Sequence, residues 1–263
     1  MTTSPFLLRT GSYLAVLITM LYVESKAPFA QSEQSKRHRV AFHLGLSLGN
    51  SLILTLLLAG PTYALVLFTA EHGWGLMHWL GLGGWLEIAC TVVAFDIWDY
   101  WMHVANHKLP FLWRFHKAHH SDMDIDVTTA SRFHIGELLI SGISKGLMIL
   151  LWGPSLWGVV VFEALLTSAS EFHHSNIKLP LRLQDVLERI VVTPRMHRCH
   201  HALHRNCFNT NFAAILSLWD RLFGSYHWAR LLEDLEPIGL FSPRGPATMK
   251  LIPFLMTPVR VIQ

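Results

Sequence analysis

The sequence predicts an all-α fold: a multi-pass transmembrane helical domain of about four to five spans, with a histidine-rich cap on the cytosolic side. Three observations predict it. Of the 263 residues, 51% are hydrophobic and only 15% are charged, against roughly 25% charged in an ordinary soluble domain. Apolar runs of helical length recur along the chain. The chain also contains 17 histidines, most of which fall in short clusters.

Five apolar runs supply the predicted spans: Phe6–Val23, Ala41–Ala70, Trp85–Ala105, Glu137–Trp152 and Ser155–Phe172. A helix needs about 20 residues to cross ~30 Å of hydrocarbon, so the first and third runs fit one span each. The second run must tilt or bend, with a break expected at Gly60-Pro61. The fourth and fifth are short spans joined by a turn at Gly153-Pro154.

The basic residues predict the orientation of these spans. Of the 21 Lys and Arg residues, all but Arg9 and Lys145 fall in 26–39, in 106–136 or after residue 173. Short cytoplasmic loops are enriched in Lys and Arg, so these three stretches are assigned to the cytosol. Five crossings and a cytosolic C-terminus satisfy this pattern. The first run is interpreted as a retained span, since no clear signal-peptide cleavage site follows it.

The chain has no linker or internal repeat that would divide it, so one structural domain is predicted. Within it we expect N-terminal transmembrane helices over 1–84, a catalytic region over 85–230 and a peripheral tail over 231–263. Leu179–Val192 and Leu251–Val261 mix apolar and basic residues, as interfacial helices do. The three cysteines show no Cys-x-x-Cys spacing, and reduced thiols are expected.

Three histidine clusters carry the chemistry. The third apolar run ends in His103 and His107, an HxxxH box; His116–His120 and His197–His201 are HxxHH boxes. Residues three or four apart share one helix face, so each box can converge on one point. His134 and His174 return to the same membrane face. The candidate metal ligands are therefore His103, His107, His116, His119, His120, His134, His174, His197, His200 and His201.

Ten histidines are too many for one tetrahedral zinc site, which favours a dinuclear centre. Imidazole suits Zn, Cu, Fe and Ni, so the ligand type does not select the metal. Metal-bound histidines usually donate their second N–H to a carboxylate or carbonyl. Asp96, Asp122, Glu137 and Asp220 are candidate acceptors. The alternative for each is a salt bridge with a nearby arginine.

Together with these boxes, the segments Leu112–Arg114, Arg132–Glu137 and Trp219–Gly224 resemble the fatty acid hydroxylase / sterol desaturase superfamily of integral-membrane di-iron enzymes. The resemblance extends over about half of the chain. It implies ligand roles for the eight box histidines, two iron ions as cofactor, which zinc can replace in a purified sample, and O2 as co-substrate. Ile135 and Ala213 depart from the family's usual proline and glycine, which bears on the substrate subtype and the local backbone more than on metal binding.

The resemblance further implies that the chain is an O2-dependent oxidoreductase that hydroxylates a C–H bond of a fatty acyl, sterol or related lipid. Desaturation by the same centre is the alternative. No Gly-x-Gly-x-x-Gly loop or cysteine-rich iron–sulfur run occurs, so an external donor is expected, a ferredoxin or cytochrome with its reductase. No nucleic-acid partner is expected. A bacterial plasma membrane is favoured over the endoplasmic reticulum.

Two rivals stay open, one another enzyme and one from a non-catalytic class. A membrane zinc hydrolase would use a metal-bound water and a carboxylate base, and would need no O2. A metal transporter or sensor would spread its ligands along a membrane path, whereas these ligands gather at one face. The sequence does not identify the lipid, the carbon attacked, the electron donor or the oligomeric state.

Overall fold

The computed structural model describes residues 5–207, 209–228, 235, 237–242 and 244–260. Within these ranges the regular structure is helical, apart from three isolated β-bridges, which confirms the all-α prediction. The α-helices are α1 (Pro5–Lys26), α2 (Lys36–Leu54), α3 (Gly60–His72), α4 (Leu76–Trp79), α5 (Gly84–Lys108), α6 (Pro110–His120), α7 (Ile135–Trp152), α8 (Leu156–His174), α9 (Leu181–Leu187), α10 (Pro194–His201), α11 (Leu218–Leu222) and α12 (Leu251–Leu255).

All five predicted apolar runs form helices. By length and composition, three stretches of the described chain are able to cross a membrane: Leu7–Lys26, Lys36–Trp79 and Ile135–Trp152. Their outward-facing apolar side chains support membrane association; Leu48 and Leu56 of this surface are 75% and 73% exposed. Helices α5 and α8, of 25 and 19 residues, are also long enough, but they contain three and two acidic residues. The total of four to five spans therefore stays a prediction.

The predicted break at Gly60-Pro61 is wrong. A π-helical turn, Thr55–Ala59, joins α2 directly to α3, and Gly60 keeps helical backbone angles of φ −61° and ψ −54°. Proline lacks an N–H and its ring clashes with the carbonyl four residues earlier. The wider π turn just before Pro61 makes room for the ring, so the helix passes through the proline without a break.

The predicted hairpin between α7 and α8 is present. Gly153 ends α7 in the left-handed region at φ 67°, a conformation that costs glycine nothing. The Ser155 side chain then accepts a hydrogen bond from the Gly158 N–H and caps α8. The two helices diverge from this turn, because α7 packs mainly against α3 whereas α8 packs mainly against α1 and α5.

An apolar core of α5, α7 and α8 side chains lies below the histidine-bearing end of the bundle; its fully buried members include Phe95, Ile149 and Phe162. At that end, α6, α10 and the 3₁₀ turn Val127–Ser131 close the bundle. The predicted interfacial segments form the short helices α9 and α12, and a 3₁₀ turn, Thr257–Val259, follows α12. Residues 229–234 and 261–263, which include parts of the predicted catalytic region and tail, lie outside the described residues.

The expectation of reduced thiols is wrong for two cysteines. Cys199 and Cys207 form a disulfide, with Cα atoms 5.2 Å apart, while Cys90 is a free thiol. The two residues lie eight positions apart in the sequence. Their pairing depends on how the chain folds back after α10, which no local cysteine motif reports.

Candidate dinuclear metal centre

Four helices bring nine of the ten predicted ligands together. Helix α5 carries the HxxxH box in its last turns, α6 and α10 carry the two HxxHH boxes, and α8 ends at His174. Local sequence fixes where α10 begins: the Thr193 hydroxyl accepts a hydrogen bond from the Met196 N–H, and Pro194 occupies the first turn. Both features are typical of helix N-termini, so the third box starts in a defined register.

The first group contains five histidines whose ligand atoms all lie within 4.8 Å of one another: His103, His107, His116, His120 and His200. The Nε2 atoms of these five are buried and have no hydrogen-bond partner in the described chain. Three acceptors, each at 2.7 Å, fix Nδ1 atoms on the far side of the rings: the Phe212 carbonyl for His103, the Glu137 carboxylate for His116 and the Thr210 carbonyl for His200.

The second group contains His119, His174, His197 and His201, again with ligand atoms within 4.8 Å of one another. Their Nε2 atoms form a chain of close approaches: 3.2 Å between His119 and His174, 2.9 Å between His174 and His197, and 3.1 Å between His197 and His201. The Nδ1 atom of His174 lies 2.7 Å from the Ser170 carbonyl oxygen.

Both groups fit a metal ion. An Nδ1–H that donates to a carbonyl or carboxylate leaves the Nε2 lone pair free, and this is the usual state of a ligating histidine. In the first group those lone pairs converge without any protein donor. In the second, imidazole–metal bonds of about 2.0–2.1 Å would place neighbouring nitrogens roughly 3 Å apart at a right angle, close to the separations given above. Two adjacent groups indicate two ions.

Burial keeps the imidazoles in the ligating form. Desolvation, together with the smaller effect of the neighbouring histidines, lowers the pKa of His200 to about 3. The pKa values of His119, His120, His197 and His201 are also well below the ordinary value, for the same two reasons. These groups are therefore neutral at pH 7. Neutral imidazole is the form that binds a metal without first losing a proton.

His134 does not join either group. Its Nε2 atom lies 3.1 Å from the Leu255 carbonyl oxygen, and its Nδ1 atom accepts a hydrogen bond from the Gly136 N–H at 3.0 Å, which caps α7. Both ring nitrogens are thus bonded to backbone groups. We remove His134 from the proposed ligand set and assign it a structural role.

Of the four predicted acceptors, only Glu137 accepts a hydrogen bond from a proposed ligand. Asp96 and Asp220 instead bind the loop after α10. Asp220 accepts from the Phe212 N–H at 2.7 Å, and Asp96 accepts from the Ile215 N–H at 3.1 Å and the indole of Trp219 at 2.7 Å. Because the Phe212 carbonyl in turn orients His103, these carboxylates act on the centre through the backbone.

Asp122 does not accept a hydrogen bond from a proposed ligand among the described residues. It forms a salt bridge with an arginine, which was the alternative prediction, but the arginine is a distant one, Arg39. Arg39 of α2 is fully buried. It contacts both carboxylate oxygens of Asp122 and donates from Nε to Asp126 at 3.0 Å. Burial alone would raise the pKa of Asp122, but the adjacent guanidinium outweighs it and lowers that pKa below its ordinary value. No local sequence motif marks this pair, whose members lie 83 positions apart.

Aromatic contacts complete the surroundings of the ligands. The Phe133 ring stacks on His119 with centroids 4.5 Å apart and an interplanar angle of 5°. The centroid of the Trp113 ring lies 5.1 Å from that of the His107 ring and 5.6 Å from that of the His120 ring. Such contacts exclude water from the ligands and restrict rotation of their rings.

Comparison with known proteins assigns the chain to a family. The family model for fatty acid hydroxylase matches residues 88–225, which is about half of the chain and contains all nine clustered histidines. Zebrafish (Danio rerio) alkylglycerol monooxygenase is 32% identical over 188 residues, 70% of this chain and 40% of the relative. Ornithine lipid hydroxylase OlsE of Rhizobium tropici is 32% identical over 54% of this chain and 42% of the relative.

Human cholesterol 25-hydroxylase is 26% identical over 54% of this chain and 52% of its own length. The chain thus spans only about a third to a half of the length of the curated relatives it matches. No solved structure shows significant similarity to it. Because the family model covers half of the sequence and every histidine of both groups, the chain belongs to the fatty acid hydroxylase family.

Proposed function

We propose that this protein is a membrane di-iron oxygenase that uses O2 and external electrons to hydroxylate a C–H bond of a lipid. One observation carries the proposal: nine histidines, seven of them buried, form two adjacent groups at one end of the helical bundle. The three relatives described above are named for hydroxylation or monooxygenation of an alkylglycerol, an ornithine lipid and cholesterol, and each name points to an amphiphilic lipid.

Two iron ions held by the two groups would supply the oxidant for an unactivated C–H bond. The protein's own part is to hold the ligands still and keep water away. Glu137 and the carbonyls of Phe212 and Thr210 fix three imidazole rings through their Nδ1 atoms. Since Nδ1 carries the proton, each ring presents Nε2, and rotation of a ring would break a hydrogen bond of 2.7 Å.

The donor set disfavours hydrolysis. A zinc hydrolase needs a carboxylate that can take a proton from a metal-bound water. Both groups consist of histidines, and no carboxylate oxygen of the described residues joins the ligand atoms of either group. Desaturation by the same centre stays an outcome of the test below.

We place the two groups at the cytosolic membrane face. Short cytosolic loops are enriched in Lys and Arg. The Lys- and Arg-rich stretches of this chain adjoin the histidine-bearing end of the bundle, where they follow or precede α1, α2, α5 and α8. A lipid could then keep its tail in the bilayer while the reacting carbon reaches the metals. A soluble ferredoxin or a cytochrome could deliver electrons to the same face, where basic side chains would attract an acidic partner.

Lipid mass spectrometry of cells that express the chain under 18O2, together with a compatible electron-transfer system, tests the proposal. His119→Ala removes a ligand of the second group, and His38→Ala is the matched control because His38 is exposed on α2. Hydroxylation predicts lipids that gain one 18O atom in wild-type and control cells but not with His119→Ala. Products two hydrogens lighter would establish desaturation instead. Purified protein that binds zinc, retains no iron after anaerobic loading and yields neither product would overturn the proposal.

A further inference from the structure

A cluster of three further metal-binding side chains lies outside the two histidine groups. Cys199 of α10, Cys207 of the following loop and His227, beyond α11, have ligand atoms that all lie within 4.8 Å of one another. Both cysteines are fully buried, whereas His227 is half-buried. Cys199 lies two positions from His197 and from His201, so it projects from the opposite side of α10. The cluster is therefore separate from the second histidine group.

Asn211 connects the three chain segments that carry these side chains. It is fully buried, and its Nδ2 atom donates to the Met196 carbonyl of α10 at 3.1 Å and to the His227 carbonyl at 3.0 Å. Its Oδ1 atom accepts from the His227 N–H at 2.8 Å. Asn211 has a φ of 54°, which residues other than glycine rarely adopt and which persists only where the surrounding contacts hold it. These contacts keep the three segments together independently of any bond between the cysteines.

The loop after α10 also links the cluster to the first histidine group. The Thr210 hydroxyl donates to the Cys207 carbonyl at 2.6 Å and lies 4.0 Å from the Cys199 Sγ atom. The Thr210 carbonyl accepts from the ligand His200 at 2.7 Å. Whatever joins Cys199 to Cys207 therefore also fixes the backbone that orients His200.

The redox state of the two cysteines decides what the cluster can bind. The thiolate is the form of cysteine that binds metal ions, so the disulfide form does not provide a site. Reduction of the disulfide by a thiol such as glutathione adds two electrons and two protons and yields two thiols. Disulfides are rare in the cytosol for this reason. With the cytosolic placement proposed above, Cys199 and Cys207 are thiols in the cell.

The ligand atoms are close enough for one zinc ion. Zn–S bonds of about 2.3 Å and Zn–N bonds of about 2.0–2.1 Å separate tetrahedral ligand atoms by roughly 3.5–3.8 Å, which is within the 4.8 Å that the cluster spans. Thiolates suit zinc, and imidazole suits it as well. Because His227 is half-buried, solvent can supply the fourth ligand.

We propose that Cys199, Cys207 and His227 form a third metal site, which binds one zinc ion when the cysteines are thiols. Binding forms two Zn–S bonds and one Zn–N bond and releases the two thiol protons to solvent. The ion takes the place of the disulfide: it holds the loop against α10 and thereby fixes the Thr210 carbonyl that orients His200. The site needs neither iron nor O2, so it goes beyond the proposed function.

Cobalt(II) titration of the reduced protein tests this site. Purified protein in detergent is reduced, stripped of metal, desalted without air and titrated with cobalt(II) chloride. Thiolate ligands give cobalt(II) an intense near-ultraviolet charge-transfer band that imidazole ligands do not give, so the band reports this cluster and not the histidine groups. We expect the band in wild-type protein and its loss when Cys199→Ser and Cys207→Ser are combined. Cys90→Ser is the matched control: Cys90 is the free thiol of α5, and this variant should keep the band.

Two further readouts leave both cysteines in place. Oxidation of zinc-loaded wild-type protein to the disulfide with diamide should release one zinc ion per chain, while zinc at the histidine groups stays bound. His227→Asn should weaken cobalt binding by at least about tenfold, since loss of a group that only orients a ligand already costs about 10–100-fold.

Three results would overturn the proposal: no charge-transfer band in reduced wild-type protein, a band that survives in the double cysteine variant, or unchanged cobalt affinity in His227→Asn. No readout involves turnover. A protein that shows the band but oxidises no lipid would therefore refute the proposed function and leave this inference standing.

Discussion

Replacing Arg39 with methionine tests whether α2 holds the second histidine box in place. Arg39 is fully buried and bonds both oxygens of Asp122, two residues after His120. It also donates to Asp126 at 3.0 Å and to the Asp124 carbonyl at 2.7 Å. Methionine is about as long as the aliphatic part of the arginine side chain, but it leaves the buried carboxylates of Asp122 and Asp126 without the guanidinium cation.

Removing one partner of a buried ion pair costs about 3–5 kcal/mol, because the remaining charge is left uncompensated. At roughly 2–4 °C per kcal/mol for a chain of this size, the melting temperature should fall by about 6–20 °C. The uncompensated Asp122 carboxylate lies two residues after His120 of the HxxHH box of α6, so metal content should fall as well. Arg39→Lys should recover only part of both losses, since lysine cannot bond Asp122 through a planar fork.

The assay is thermal unfolding in one detergent, with metal content measured on the same sample. Arg37→Met is the matched control, since Arg37 is exposed two positions earlier in the same helix. It should melt as the wild type does. If Arg39→Met has the same melting temperature as Arg37→Met and keeps two metal ions, then α2 does not position the HxxHH box of α6 and the reasoning fails.

Three further outcomes follow from the site. Glu137→Gln should weaken metal binding by about 10–100-fold, because the acceptor for the His116 N–H loses its charge; equilibrium dialysis against a chelator measures this, and unchanged affinity would contradict it. His134→Asn should retain both metals, whereas His200→Asn should lose one, as metal analysis of purified protein would show. The metal-free protein should lose stability as pH falls below about 6.5, because the unfolded chain then binds protons that the folded chain, with the pKa of His200 at about 3, does not bind. Each such histidine lowers the free energy of unfolding by about 1.4 kcal/mol per pH unit. A melting temperature that stays constant between pH 7 and pH 5 would refute this.

Sequence alone predicted the elements whose signals are local. Apolar runs of 16 residues or more became helices, and the spacing inside each histidine box put its members on one face. The π turn before Pro61 was not predictable in this way, because periodicity reports where a helix lies but not how it adapts to a proline. The Gly153 turn was predictable, since glycine and proline mark chain reversals directly.

Residues that act across long separations escaped prediction. Arg39 reaches Asp122 over 83 positions, and nothing in the sequence near either residue marks the pairing. His134 was included among the ligands because it lies at the correct end of α7, but the Leu255 carbonyl from the C-terminal segment occupies its Nε2 atom. The end of α7 at which His134 lies was therefore predictable, whereas the direction of its ring was not.

The cost of burying so many imidazoles explains why remote segments hold the ligands. The five Nε2 atoms of the first group are buried without a protein partner, and each such atom costs about 1–3 kcal/mol when nothing occupies the site. Metal binding would offset that cost and would therefore also stabilise the fold. The metal-free chain must still keep the rings in place, and it does so through backbone acceptors such as the Phe212 and Thr210 carbonyls. Those acceptors lie in an irregular loop, which is why Asp96 and Asp220 use their carboxylates on loop N–H groups rather than on histidines.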